Sequence, residues 1–238
     1  SGDTVYAIKN TGEVLVIDVR NPATSFVVKT IALNEPAYNL DVSGNYLNIA
    51  HGGKGITTLE ITDPLDPVVV ADTGLYGLEA FSPYVNGIKS KKNGQYLYTA
   101  TNHLSVFKMF DDDPTVITPV IVNTSWLPNL AGSPGGWNIT LSDNEDLMIV
   151  SGRRSGACIY DVSVPSRPVL LSSLEFNGLL FDTAITDDDN YLAGVTGSSF
   201  LTLVDITNKS SPQEISNVKN SSVFAEQRRI TKDGRYEF

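Results

Sequence analysis

The sequence predicts an all-β fold in which four-stranded antiparallel blades repeat along the chain, that is, a β-propeller. One observation is the strand-like segment at residues 14–22, Val-Leu-Val-Ile-Asp-Val-Arg-Asn-Pro, which recurs with variations. Its copies lie at residues 56–64, 104–110, 157–165 and 201–209. A turn followed by an apolar strand precedes these segments, at residues 44–50, 93–100, 146–150 and 189–193. The period of 42–51 residues between aligned positions is typical of propeller blades.

The segments are short, rich in β-branched and aromatic residues, and bounded by Gly, Pro, Asn and Asp, which indicates strands and not helices. For the first complete blade we predict strands over residues 26–33, 38–42, 46–51 and 56–62, counted from the propeller axis outward. Tight turns join the second strand to the third. Prolines follow the fourth strand and remove ladder donors, so we expect the chain to leave the sheet there for the next blade.

The two ends of the chain supply complementary strands. The N-terminal residues provide a third and a fourth strand, whereas the C-terminal residues provide a first, a second and the start of a further strand. We therefore predict one domain over residues 1–238, with five blades and the ring closed by pairing of strands from both ends. The chain lacks an initiating Met and is expected to be processed, trimmed or a fragment. If it is a fragment, six or seven blades are expected.

The Leu-Val-Ile-Asp run at residues 15–18 and its copies resemble the LVIVD repeat of β-propellers in microbial cell-surface and secreted proteins. Lys108 departs from the acidic position of this motif. The resemblance spans nearly the whole chain, and its motif builds blades and carries no catalytic residue. It implies a non-catalytic interaction module with an extracellular or cell-surface location.

The amino-acid composition limits the classes of partner and the kinds of site that are expected. The 238 residues carry a formal charge of −10, which disfavours nucleic acid because phosphate binding needs clustered Lys and Arg. No apolar run is long enough to predict a membrane span. Cys158 is the single cysteine, so an internal disulfide and a cysteine-based zinc site are excluded, and we expect an inert residue within a strand.

Loops on one face of the predicted propeller combine aromatic, basic and histidine residues. Long loops on a rigid scaffold commonly carry binding sites, and exposed aromatic rings beside cations suit a protein or glycan partner. The alternative is that the rings fill the central channel or pack beneath their own loops. The residues of this predicted contact face are Tyr76, Phe81, Tyr84, Trp126, Trp137, Arg153, Arg154, His51 and His103.

The sequence gives little support for a catalytic site or a metal site. Acidic residues gather in the turns of the opposite face, where solvated turns are the favoured interpretation and a calcium site is the alternative, although no EF-hand spacing occurs. We therefore predict no cofactor, no metal and no catalytic residue, since nucleophile-elbow, phosphate-loop and dinucleotide motifs are missing from the sequence. A propeller hydrolase with scattered carboxylates is one alternative function. The other is a structural subunit that self-associates into an extracellular filament by strand pairing between molecules.

Four Asn-x-Ser/Thr sequons mark candidate glycosylation sites, which we expect in or beside loops. They are Asn123, Asn138, Asn208 and Asn220.

Overall fold

A computed structural model describes residues 2–33, 35–52, 54–73, 85–110, 117–128, 136–152, 156–197 and 200–219. These residues form β-strands almost throughout, with one 3-10 turn at Pro22–Thr24. In the part of the chain described, no helix has the length and apolar character needed to cross a membrane. The structure thus confirms the all-β prediction.

Consecutive strands pair to form five sheets in the described residues. The first sheet contains β1 (Thr4–Lys9), β2 (Glu13–Asp18) and β3 (Phe26–Ala32), and the second contains β4 (Asn39–Ser43), β5 (Tyr46–Ala50), β6 (Ile56–Glu60) and β7 (Val68–Thr73). The third contains β8 (Gly87–Ser90), β9 (Tyr96–Ala100), β10 (His103–Phe110) and β11 (Ile117–Trp126). The fourth contains β12 (Gly136–Leu141), β13 (Leu147–Gly152), β14 (Gly156–Asp161) and β15 (Val169–Glu175). The fifth contains β16 (Leu180–Ile185), β17 (Tyr191–Thr196), β18 (Phe200–Asp205) and β19 (Gln213–Lys219).

The predicted grouping of strands into blades is wrong by one strand. Residues 26–33 were expected to open the blade that continues with residues 38–42, but β3 pairs antiparallel with β2, from Glu13↔Ala32 to Asp18↔Phe26. The same holds for β7, β15 and β19, each of which completes the sheet of the strands before it. In each four-stranded sheet the motif strand is therefore the third strand and the strand that follows it is the fourth, whereas in the first sheet, with three described strands, they are the second and the third.

The prolines do not send the chain to the next sheet, because the segment around them forms a tight reversal. The side chain of Asn21 accepts a hydrogen bond from the Ala23 N–H at 3.2 Å. Asp63 accepts one from the Leu65 N–H at 3.0 Å, and a backbone bond closes the same turn between the Asp66 N–H and the Asp63 carbonyl at 3.1 Å. Asx turns of this kind reverse the chain within a few residues, so the following strand returns along its predecessor.

The first sheet lacks one strand in the described residues. The predicted closure assigned strands from the C-terminal end to this sheet. Residues 213–219 belong to the fifth sheet as β19, so they are not available for that pairing. The remaining candidates, residues 220–238, lie outside the described residues, and closure of the ring stays a prediction. The single-domain assignment also stays a prediction.

The chain divides into two compact units, and the third sheet contributes residues to both. One unit contains residues 1–98 and 107–121. In this unit β4 packs against β8, which brings the first strands of two sheets together. Its interior is filled by two clusters of apolar side chains. The fully buried members include Val14, Leu47, Ile49, Leu59, Ile88 and Leu97.

The other unit contains residues 99–106 and 122–238. Here β12 and β13 pack against β16, again joining the first strands of neighbouring sheets. Ile149, Ile159 and Leu180 are fully buried in its main apolar cluster, which also contains Phe176. First and fourth strands are the two terminal strands of each four-stranded sheet, and it is the first strands that pack against a neighbouring sheet in each unit.

Gly194 on β17 offers a test of this packing. A Cβ atom at this position would lie 2.4 Å from the Cε1 atom of the buried Phe176 ring. We expect Gly194→Ala to lower the free energy of unfolding by about 1–3 kcal/mol, because overpacking displaces the ring. Chemical denaturation measures this, with Gly2→Ala as control since nothing lies within 4 Å of its Cβ position. Equal stability of both variants would contradict the packing described for Phe176.

Candidate functional site

The acidic residue of the repeated motif starts the turn that follows the third strand. Asp18, Asp161 and Asp205 each accept a hydrogen bond from the backbone N–H two residues later, at 3.0, 2.8 and 2.8 Å. Hydrogen bonds from the Thr207 hydroxyl and then its backbone hold the pKa of Asp205 below its usual range. A carboxylate engaged in this way closes a turn, so the recurring acid has a structural role.

The same turns receive polar side chains from the preceding sheet. The Tyr6 hydroxyl donates to the Pro64 carbonyl at 2.8 Å. The Ser172 hydroxyl donates to the Lys209 carbonyl at 2.7 Å, and the amide of Asn123 donates to the carbonyl of Ser166 at 3.1 Å. Each of these bonds lies within one compact unit. The turn segment therefore fastens one sheet to the next.

Much of the predicted contact face lies outside the described residues. This applies to Tyr76, Phe81, Tyr84, Arg153 and Arg154. Their role in binding stays a prediction.

The two tryptophans of the predicted face are strand residues. Trp126 is the last residue of β11, and Trp137 is the second residue of β12, where the register shifts between Gly136 and Asn138. The prediction placed both in one long irregular loop. Since β11 ends at Trp126 and β12 begins at Gly136, both tryptophans belong to strands, and residues 129–135 lie outside the described residues.

The structure places His51 and His103 in the interior instead of on the loop surface, with 4% of each residue exposed. Burial lowers the pKa of both imidazoles, so both rings are neutral at neutral pH. Lys54, beside His51 in the chain, is exposed and forms an ion pair with Glu35 at 3.1 Å. The histidines therefore offer little surface to a partner.

The acidic turns of the opposite face are organised by their own hydrogen bonds. Asp188 accepts from the Thr186 hydroxyl at 2.6 Å and from the Asn190 N–H at 3.1 Å. Asp189 accepts from the Asn144 amide at 3.1 Å, and its backbone carbonyl accepts from Lys209. Within the described ranges no three His, Cys, Asp or Glu residues gather in a group that would hold a metal ion.

Cys158 lies in β14 and is 2% exposed, as expected for a residue of an apolar strand. Burial raises the pKa of its thiol to about 12, with a smaller opposing effect from Tyr160. The thiol is therefore protonated at physiological pH, and the reactive thiolate is suppressed.

The candidate glycosylation sites differ in their surroundings. Asn123 and Asn138 lie within strands and not in loops, and the amide of Asn138 donates to Asp182 at 2.7 Å. Asn208 lies in an exposed turn, which is where a glycan is accommodated. Asn220 lies outside the described residues.

The outer edge strands, defined as β3, β7, β11, β15 and β19, carry a feature that the sequence interpretation missed. Each is the last strand of its sheet and is paired on one side only. In β7 the residues Val68 and Val69 are 56% and 48% exposed. The signal was present in the sequence as an unbroken apolar run directly after a proline. The exposed large apolar side chains of the outer edge strands are Phe26, Val27, Val28, Val68, Val69, Val70, Val120, Val122, Val169, Leu170, Ile215 and Val218.

A β-bulge recurs in four of the outer edge strands. The register between third and fourth strands shifts so that one apolar residue of the fourth strand is left over, as with Val70 between the pairs Leu59↔Val69 and Thr58↔Ala71. Bulges increase the local twist and discourage uncontrolled pairing at sheet edges. The equivalent residues are Val28, Leu171 and Ile215.

Comparison with known families identifies the repeat. The LVIVD repeat matches at residues 36–72 and 185–220. The chain carries LVIVD repeats. The first matched segment covers β4 to β7, whereas the second begins at the last residue of β16 and covers β17 to β19. Each match therefore includes the second, third and outer edge strands of one sheet. No curated protein matches the sequence.

Solved structures similar to this LVIVD-repeat chain are β-propellers. A 6-phosphogluconolactonase-like protein from Bacteroides uniformis has a TM-score of 0.77 at 12% identity, with 98% of this chain and 73% of that chain covered. A chain of the mitotic checkpoint complex has a TM-score of 0.74 at 12% identity, covering 98% and 67%. The β-propeller domain of Cps50 (Swd1) from Myceliophteria thermophila has a TM-score of 0.68 at 12% identity, covering 92% and 70%. At sequence identities this low, the similarity supports the fold alone. The predicted β-propeller fold is confirmed.

Burial of Cys158 predicts slow thiol chemistry. At about pH 8 we expect the native protein to react with a disulfide reagent at least about a thousand-fold more slowly than free cysteine, because the thiolate fraction is smaller by that order. Stopped-flow absorbance measures the rate, and addition of denaturant is the control that restores it. A native rate close to that of free cysteine would show that the strand does not protect the thiol.

The turn carboxylates predict a defined pH dependence. Asp205→Ala removes the acceptor for Thr207 and is expected to lower the melting temperature at neutral pH, whereas Asp205→Asn retains an acceptor and is expected to lower it less. Since the pKa of Asp205 is depressed in the folded state, its stabilisation is present above the unfolded value of about 3.9 and is lost as pH falls below it. Calorimetry at neutral pH and at about pH 3 is expected to show a smaller gap between wild type and Asp205→Ala in acid. A gap that widens in acid would contradict this role.

Proposed function

We propose that this LVIVD-repeat chain is a non-catalytic interaction module, located outside the cell or on its surface, that binds a protein partner. One observation carries the proposal: the outer edge strands combine an open hydrogen-bonding edge with exposed branched apolar side chains. Contiguous apolar surface on a soluble protein commonly marks a protein-interaction site. An open strand edge offers backbone donors and acceptors to an added strand.

The mode of binding that uses both features is strand addition. An extended partner segment pairs with the edge through main-chain hydrogen bonds, while the exposed side chains select its sequence. The β-bulge in β3, β7, β15 and β19 disrupts the edge locally. An added partner strand is therefore expected to pair only with the part of the outer edge strand that lies beyond the bulge. A short extended segment fits this geometry better than a large flat surface.

Charge favours a partner other than a second copy. The formal charge of −10 makes copies of this chain repel each other and attracts basic proteins. We therefore assign the edge to an extended segment flanked by Lys or Arg. Self-association into a filament stays a prediction without support from the charge.

Glycan binding depends mainly on aromatic residues of the predicted contact face that lie outside the described residues, so it also stays a prediction. The non-catalytic part of the proposal draws on the burial of His51, His103 and Cys158, which removes these groups from contact with a substrate at the surface. Similarity to the 6-phosphogluconolactonase-like protein is limited to the fold at 12% identity. The extracellular part draws on the resemblance to secreted proteins and on the exposed turn that carries Asn208.

A displayed library of random peptides of about twelve residues tests this proposal. We expect selection on the wild-type protein to enrich peptides that alternate β-branched with polar residues and carry basic ends. Binding of the enriched peptides is then measured on four charge variants, Val27→Asp, Val69→Asp, Leu170→Asp and Ile215→Asp, one on each bulged outer edge strand.

At least one of these variants is expected to weaken binding by about ten-fold or more, because a buried carboxylate opposes pairing at that edge. Thr11→Asp, in the exposed β1–β2 turn, is the matched control and is expected to bind as wild type. Circular dichroism checks that each variant is folded. Full binding by all four strand variants, or loss of binding in Thr11→Asp alone, would overturn the assignment to the outer edge strands.

A further inference from the structure

The loop between β5 and β6 ties the second sheet to the start of the third within one compact unit. The Gly52 N–H donates to the Val85 carbonyl at 3.2 Å, and the Val85 N–H donates to the Gly52 carbonyl at 3.0 Å. This isolated bridge stands next to His51, whose own N–H donates to the Gly55 carbonyl at 2.9 Å. The bridge therefore fixes the position of Val85, which lies two residues before the first residue of β8.

Neither ring nitrogen of His51 has a hydrogen-bond partner of good geometry among the described residues, and only a weaker interaction with the Glu35 backbone reaches the ring. A neutral imidazole has one N–H donor and one acceptor nitrogen, and buried polar atoms are rarely left unsatisfied. The ring is 4% exposed, so bulk water does not compensate. The free-energy cost of burying the ring at this position is small for the neutral form and much larger for the charged form.

Three charged groups act on the ring from the elements around it. Asp72 on β7 and Glu35 between β3 and β4 favour the charged form, and the Glu35 backbone carbonyl acts in the same direction. Lys54 on the same loop opposes it, and its charge is partly neutralised by the ion pair with Glu35. Burial outweighs these groups and lowers the pKa of His51.

The sign of the coupling follows from this lowered pKa. An open loop exposes the ring, whose pKa then returns to about 6.5. The closed loop is therefore fully stable above about pH 6.5 and loses stability as pH falls below that value, because the open form binds the proton more tightly. Stability continues to fall until pH reaches the lower pKa of the closed form.

We propose that His51 is an acid-operated latch, in which protonation of the buried ring breaks the Gly52–Val85 bridge. The adjacent ladders do not depend on this bridge, since β4, β5 and β6 pair through their own registers. Opening is therefore local, and it releases the chain that enters β8 from the second sheet. The latch does not use the exposed apolar side chains of the outer edge strands, although Asp72 on β7 favours the charged form of the His51 ring.

Amide hydrogen exchange measured by NMR tests the latch, because the N–H groups of Gly52 and Val85 are the two donors of the bridge. Protection factors, corrected for intrinsic exchange, are compared at about pH 7.5 and about pH 5. In the wild-type protein we expect both factors to fall several-fold at the lower pH, by an amount set by how far burial lowers the pKa of His51. The same spectra follow the titration of the His51 ring, whose midpoint is expected to lie below about 6.5 and to coincide with the loss of protection.

Two variants separate the latch from general acid effects. His51→Gln has a polar side chain of similar size that does not titrate. Its protection factors are expected to be the same at both pH values. His103→Gln is the matched control, since His103 is equally buried, and it is expected to respond as wild type. If His51→Gln does not fold, the titration of the wild-type ring alone decides. Unchanged wild-type protection in acid, a persistent fall in His51→Gln, or loss of the response in His103→Gln would each overturn the proposal.

Discussion

A single kind of hydrogen bond determines how this chain folds: an acidic or amide side chain accepts the N–H two residues ahead, at the end of a strand and again within the following turn. Asp205 illustrates the first and Asn208 the second, at 2.8 and 3.2 Å. Together they reverse the chain in a few residues, so the next strand pairs with the one just completed. The turn then accepts hydrogen bonds from the sheet before it. Sheet closure and sheet-to-sheet contact therefore depend on the same short segment.

The repeat period and the strand character of each segment were predictable from the sequence, because β-branched residues and turn residues are local signals. The phase of the repeat was not. Phe26–Ala32 is an apolar strand whether it opens one sheet or completes another, and its composition is the same in both cases. What decides is the register with Glu13–Asp18, which the turn geometry imposes. Proline was interpreted as an exit from the sheet, although it is equally compatible with a tight reversal.

The surroundings of individual residues were predictable only where the local segment determines them. Cys158 was correctly expected in the interior, since the residues on either side of it form an apolar strand. His51 follows a buried strand and precedes two glycines, so its sequence indicates an exposed loop. The groups around it come from other elements, since Glu35 and Asp72 act on its ring and Val85 pairs with the neighbouring Gly52. Distant contacts of this kind leave no trace in the residues around the histidine.

The assignment of four consecutive strands to one sheet has an evolutionary consequence. A gene duplication that begins before a first strand and ends after its outer edge strand copies a whole sheet, with every ladder intact and both junctions in connecting loops. Had sheets been assembled from strands on both sides of the proline turn, the same duplication would have split two of them. The matched repeat at residues 36–72 covers this unit from β4 into β7, and the match at residues 185–220 covers the second, third and outer edge strands of the fifth sheet. Arrays of different length are therefore accessible by single genetic events that leave the existing sheets unchanged.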